Sequence, residues 1–189
     1  MIKNQTNTKK IEVSGDTNSD FANNVCGLKV IVKGNIGNNS AHSVQSSKFT
    51  VFDSCGEGFG VNAKSSEFYI FKNCGKDSFV KLTSNSKVIV GGVIGANSGA
   101  FANGIFIILN LNNEDILIDN DTFKDAKGLI IYFRGDKDKI KIVNKKLLLE
   151  KIGEDDEDIY LPLISEFARL FDFSLSEIKS KPFSKVVIK

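Results

Sequence analysis

Short runs of β-branched and aromatic residues recur along the first two thirds of the chain, starting at Ile11, Val30, Phe49, Phe68 and Val88. Those starts lie 19, 19, 19 and 20 positions apart, and the register continues to Phe106 and, after a longer excursion, to Ile130. A fixed period this short predicts a solenoid. Other columns keep the period. Glycines stand at Gly37, Gly56, Gly75 and Gly95, an apolar column at Val25, Val44, Ala63, Leu82 and Ala102, and small or hydroxyl residues at Gly27, Ser46, Ser65, Ser84 and Gly104.

Each column has a physical reason in a coiled parallel sheet. Coils stacked about 4.8 Å apart let the apolar column of one layer bury that of the next. Side chains alternate along a strand, so Val30, Phe49, Phe68 and Val88, with the residues two further on, are expected to face the core. The glycine column is expected to form corners of positive φ, where a Cβ would collide, and the small or hydroxyl column a second tight turn. The fold class is therefore all-β: a right-handed single-stranded parallel β-helix of about six to seven coils, roughly 30 Å long, with a short helical C-terminal tail.

The β-helix is expected to occupy residues 1–135 and the tail residues 136–189. Residues 128–135 (GLIIYFRG) predict one more coil edge after the excursion, and Ile140, Ile142 and Val143 a surface strand or loop. The acidic residues 154–158 favour the positive end of a following helix, whose apolar face reads Ile159, Leu163, Phe167 and Phe171. Pro162 fits that helix if it lies in the first turn. Ser174 and Glu177 form a capping box for a second short helix ending near Pro182, and a last apolar run starts at Val186. Open ends of a β-helix expose strand edges, and the tail is expected to cover one.

The 189 residues suit one domain, and a formal net charge of +2 without a strong excess in either half offers no footprint for nucleic acid or an anionic membrane. The polar amino terminus, residues 1–10, predicts neither signal peptide nor membrane anchor, and no apolar run approaches the roughly 20 residues that cross a bilayer. Cys26, Cys55 and Cys74 are too few and too widely set for a disulfide framework or a metal clamp, and predict reduced thiols in the cytoplasm.

Candidate chemistry is sparse. His42 is the sole histidine, so any nucleophilic triad must pass through it, yet it falls in a mixed column with Asn23, Val61, Val80 and Ala100 that reads as packing. Cys55 and Cys74 share a column and are expected to stack as a reduced ladder without completing a tetrahedral metal site. The run Gly56-Glu57-Gly58-Phe59-Gly60 lacks the strand-to-helix context of a phosphate loop. Asp16, Asp20, Asp53, Glu57 and Asp77 are scattered over turns and expected to be solvated, and no catalytic, cofactor or metal residue is assigned.

The segments Gly15-Asp16-Thr17-Asn18-Ser19-Asp20-Phe21-Ala22 and Val93-Ile94-Gly95-Ala96-Asn97-Ser98-Gly99-Ala100, with the ending Phe183-Ser184-Lys185-Val186-Val187-Ile188, resemble the GXGXG family. This is the β-helical domain at the carboxy end of the glutamate synthase large subunit and its stand-alone archaeal counterpart. Ser or Asn replace the family's paired glycines at Ser46-Ser47, Ser65-Ser66 and Asn85-Ser86. The resemblance implies a noncatalytic scaffold beside glutaminase and synthase partners, with FMN and an iron-sulfur cluster held by a partner, serving glutamate biosynthesis; self-association is left open. The β-helical component of formylmethanofuran dehydrogenase is similar and is the second expectation; a free-standing enzyme is the third.

Overall fold

A computed structural model describes residues 9–83 and 85–188; Ser84 of the small or hydroxyl column and most of the polar amino terminus lie outside the described residues. The strands β1 (Lys9–Val13), β2 (Leu28–Val32), β3 (Lys48–Val51), β4 (Glu67–Ile70), β5 (Ser86–Val90) and β6 (Gly104–Ile108) stack in parallel and in register. Lys9 pairs with Leu28, Lys29 with Lys48, Lys48 with Glu67, Glu67 with Lys87 and Ser86 with Gly104, so five turns repeat every 18 to 20 residues. The sixth is wider: Gly104 pairs with Leu129 of β8 (Leu129–Arg134), and the extra length carries β7 (Ile116–Ile118) on a second face. The regular part is thus about five turns, slightly shorter than the repeat arithmetic suggested, because the excursion after Asn110 breaks the period. The connections take the right-handed sense of parallel crossovers.

The core columns stand where the pattern put them. Val44, Ala63, Leu82 and Ala102 are buried in the lumen with Val25 packed at its margin, beside Val30, Val32, Phe49, Val51, Phe68, Ile70, Val88 and Val90. A file of phenylalanines runs through this lumen, Phe68 against Phe79 at 5.3 Å, Phe79 against Phe106 at 5.7 Å, and Phe106 against Phe123 at 5.3 Å. Small residues make room for it: a Cβ on Gly60 would sit 2.8 Å from the Phe79 ring, and one on Gly99 would sit 2.5 Å from Phe123.

The glycine ladder is present for a different reason than the one expected. Gly37, Gly56, Gly75 and Gly95 do not have positive φ. They lie where each coil passes over the backbone beneath: a Cβ on Gly75 would stand 2.7 Å from Glu57 N and Gly56 C, and one on Gly95 would stand 2.5 Å from Lys76 N. Close approach, not backbone conformation, requires glycine here. Positive φ falls elsewhere, on alternate residues of the turn face, such as Asn39, Ala41 and Ser43, then Gly58, Gly60 and Asn62, then Asp77, Phe79 and Lys81.

The C-terminal third departs most from the pattern. The coil path continues past Gly135: β9 (Ile140–Ile142) pairs in parallel with β7, and β10 (Leu147–Lys151) returns to the main sheet. The final strand β11 (Phe183–Ile188) lies between β8 and β10 and is antiparallel to both. The end of the sheet is therefore finished by strands, whereas the helix α1 (Asp156–Phe171) runs along the flank instead of over the end. The reason is the outer face of the sheet, where Tyr69, Ile89, Ile107 and Tyr132 form a second apolar surface that Tyr160, Leu163, Ile164, Phe167 and Ala168 bury. Sixteen helical residues span about 24 Å, enough to cross five strands at about 4.8 Å spacing.

Two details of α1 correct the sequence pattern. The buried face turns toward Tyr160, Ile164 and Ala168, leaving Ile159 and Phe171 half-buried at its edges. Pro162 is the seventh helical residue and not in the first turn. It and Asp158, whose carbonyl it leaves without a helical N–H, both face solvent, where water replaces that bond. The helix starts early because Asp156 is held: its carboxylate accepts from Gly153 N at 2.7 Å, Tyr132 Oη at 2.7 Å and Lys185 Nζ at 2.8 Å. The short helix α2 (Leu175–Lys179) begins as its capping box predicts, with Ser174 Oγ accepting from Glu177 N at 3.3 Å.

Ion pairs add a pH dependence. Glu166 of α1 receives hydrogen bonds from Arg169 at 2.8 Å and contacts Lys48 Nζ at 2.5 Å. Arg169 chiefly, and Lys48 after it, hold the Glu166 carboxyl at about 2 against burial, below its ordinary 4.5. A depressed carboxylate stabilises the fold fully above the unfolded pKa and loses that contribution as pH falls through the folded value. Asp156 is lowered too: burial opposes, but Lys185, Tyr132 and Gly153 outweigh it. Stability is expected to decline between about pH 5 and pH 2, with Glu166 contributing on the order of 2 kcal/mol after screening. Urea midpoints across that range should flatten in Glu166→Gln; an unchanged slope would exclude this pair as the cause.

Candidate functional site

The corner faces of the coils consume most of their polar groups internally. Asn35 N donates to Asp16 Oδ1 at 2.7 Å, Ser54 N to Asn35 Oδ1 at 3.3 Å, and Val93 N to Asn73 Oδ1 at 2.9 Å, each side chain closing the amide of the coil above. A buried serine ladder works in the opposite sense inside, each hydroxyl closing an amide of the coil below: Leu28 N donates to Ser47 Oγ at 3.2 Å, Ser47 N to Ser66 Oγ at 3.2 Å and Ser66 N to Ser86 Oγ at 3.1 Å. These serines are the second members of the pairs that replace glycines, and their predecessors Ser46, Ser65 and Asn85 take the positive φ. Sequence reasoning saw the substitution but not the ladder; three serines on one period were the available signal.

Of the scattered acids, three more besides Asp16 pair along the rod. Asp53 meets Lys72 at 2.9 Å, Glu57 meets Lys76 at 3.5 Å, and Asp77 accepts from Asn97 Nδ2 at 2.6 Å. The run from Gly56 to Gly60 serves the coil: Gly58 N and Gly60 N donate to Lys76 O at 2.9 Å and Ser40 O at 3.0 Å, so these amides are not turned toward an anion. His42 lies on the turn face, its N–H bonded to Asn23 Oδ1 at 2.7 Å and its ring beside Ser43 Oγ at 2.8 Å and Asn62 Nδ2 at 3.4 Å. That arrangement fits a surface packing role.

Cys55 and Cys74 stand opposite each other in adjacent coils, both buried and free of any disulfide, and Cys26 is exposed. Burial first, and the neighbouring Cys55 after it, push the Cys74 thiol well up. Alkylation of the native protein at neutral pH should therefore modify Cys26 alone, with Cys55 and Cys74 reacting only in denaturant. Mass spectrometry finding two or three adducts without denaturant would contradict the closed lumen. Among the described residues no three His, Cys, Asp or Glu side chains come together as a metal site.

The feature sequence reasoning missed is the junction of the arm with the sheet. Arg134, at the end of β8, is buried and donates to Ile178 O at 2.6 Å, Glu177 O at 3.0 Å and Leu109 O at 3.3 Å. It ties α2 to the end of β8 and to Leu109 of the neighbouring coil. Asp156, Tyr132 and Lys185 make a second tie; burial first, and Asp156 after it, push the Tyr132 hydroxyl up, so it remains a donor. Beside α2 a shallow groove of about 220 Å³ is lined by Phe71, Gly91, Gly92, Leu111, Phe173 and Glu177. Its two glycines face the coil below, where a Cβ on Gly91 would strike Phe71 and one on Gly92 would strike Asn73.

These observations define a parallel β-solenoid with a helical arm on one flank. No family model matches the chain, and neither the curated proteins nor the solved structures contain a match. Among the described residues no helix is long and apolar enough to cross a membrane.

Proposed function

We propose that this chain is a noncatalytic β-helical scaffold of a glutamate synthase-like multi-component oxidoreductase, working in the cytoplasm. The observation that carries the reading is how the polar residues are used: four of the five scattered acids, with the corner amides and the serine ladder, are bonded from coil to coil, which suits a spacer and an interaction surface. The resemblance of residues 15–22, 93–100 and 183–188 to the GXGXG family supports the partner assignment, since residues 15–22 and 93–100 lie on the coil path and 183–188 form β11. Glutaminase and flavin and iron-sulfur synthase subunits would dock on the exposed coil faces and the arm, and the FMN and cluster would reside on the partner.

Native affinity purification of the tagged protein from its own cells, with mass spectrometry of the co-eluting proteins, tests this. Recovery of a glutaminase or a flavin and iron-sulfur protein is the expected result. Pterin-enzyme components would replace it with the formylmethanofuran dehydrogenase reading, and a protein eluting alone would overturn the scaffold.

A further inference from the structure

The strand β11 interrupts the solenoid in a specific way. β10 starts 18 residues after β8 and runs in the same direction, one coil repeat further on, while β9 still pairs with β7 on the second face. On the main sheet the two coil edges are not neighbours, because Phe183–Ile188 is inserted between them. It pairs with β8 from Phe183 opposite Arg134 to Val186 opposite Ile131, and with β10 from Ser184 opposite Lys151 to Ile188 opposite Leu147. The last coil is thus spread open on one face, and an extended strand fills the slot.

The slot reads its strand by side chain as well as by backbone. Phe183 stacks on Tyr160 at 4.6 Å, Lys185 Nζ lies 2.8 Å from Asp156 Oδ1, and Val186 is buried in the lumen. One contact is poor: Ser184 is 1% exposed and its hydroxyl has no partner among the described residues. A buried unpaired hydroxyl weakens seating relative to an apolar residue in the same place. Pro182 immediately before the strand favours an extended entry into the slot.

We propose that the slot between β8 and β10 is a strand-recognition site whose occupant can come from a second copy of the chain, giving a reciprocal strand-exchanged dimer. The second copy is the occupant because its segment carries the same aromatic, lysine and valine that Tyr160, Asp156 and the lumen accept. Such an exchange forms a closed two-fold assembly from interactions already present in the monomer. It does not depend on the scaffold reading.

The test uses full chains in which Cys26 is replaced by Ser. One population carries Leu148→Cys and the other Val187→Cys, two positions that face each other across β10 and β11. The populations are mixed at high concentration, oxidised after graded times of mixing and resolved on a non-reducing gel, with a doubly substituted chain as the control that must close within itself. The expected result is a heterodimer cross-linked between positions 148 and 187, forming several-fold more slowly when Ser184→Val, which holds the strand more firmly in its own chain before exchange, is added to both chains. A control that closes in cis while the mixture yields only monomer would overturn the proposal, as would a rate of cross-linking indifferent to Ser184→Val.

Discussion

Replacing Arg134 with Leu is expected to cost about 3 kcal/mol or more and to loosen the arm before the coils unfold. The guanidinium reaches three carbonyls, two of them at the end of α2 and one, Leu109 O, on the edge of the neighbouring coil. Its removal leaves buried acceptors unpaired, each costing about 1 to 3 kcal/mol, and leucine supplies no donor. Lysine should recover less than half of the loss, since a point charge on a flexible stem cannot reproduce the planar fork. Urea unfolding gives the magnitude, and limited proteolysis around Ser180 reports the arm. A Leu variant within 1 kcal/mol of wild type would show that α1 holds the flank without this latch.

Gly75→Val is expected to cost about 3 kcal/mol, at the upper end of overpacking effects. The side chain would start 2.7 Å from the backbone of the coil beneath, at Glu57 N and Gly56 C, and backbone in the middle of a stack cannot yield without separating the coils. Gly15→Ala is the matched control: no atom lies within 4 Å of its Cβ and its φ is not positive, so the change should stay within about 0.5 kcal/mol. The comparison separates close approach from conformational freedom, because both explanations predict a cost at Gly75 but only crowding predicts that Gly75→Ala is already severe. Thermal melting of the three variants decides it; a Gly75→Val protein melting with wild type would mean that the coils are not this closely stacked.

Much of the coil architecture was legible in the sequence because a solenoid repeats its constraints. A residue such as Ala63 faces the same environment as Val44 below and Leu82 above, so one period exposes the core column without any tertiary knowledge. The same logic placed Cys74 over Cys55. The glycine ladder was visible, but its cause was not, since a column of glycines looks alike whether φ is positive or a neighbouring backbone is close. The candidate surface was less legible. Asp156 read as one acid among five at a helix start, and only folding brings Tyr132 and Lys185 to it.

The division follows from the range of the interactions. Period, strand register and the inward columns are set between residues about 19 apart, and the chain states them at every turn, so the sequence by itself determined a stacked parallel β-helix, its lumen and the capping box of α2. The flank position of α1, the late place of Pro162, the Arg134 latch and the insertion of β11 between β8 and β10 each arise once, between segments up to several tens of residues apart. No repetition announces such contacts. They follow from the shape of the finished sheet, whose apolar outer face and opened last coil only the tertiary structure creates, and which the arm and its final strand then cover.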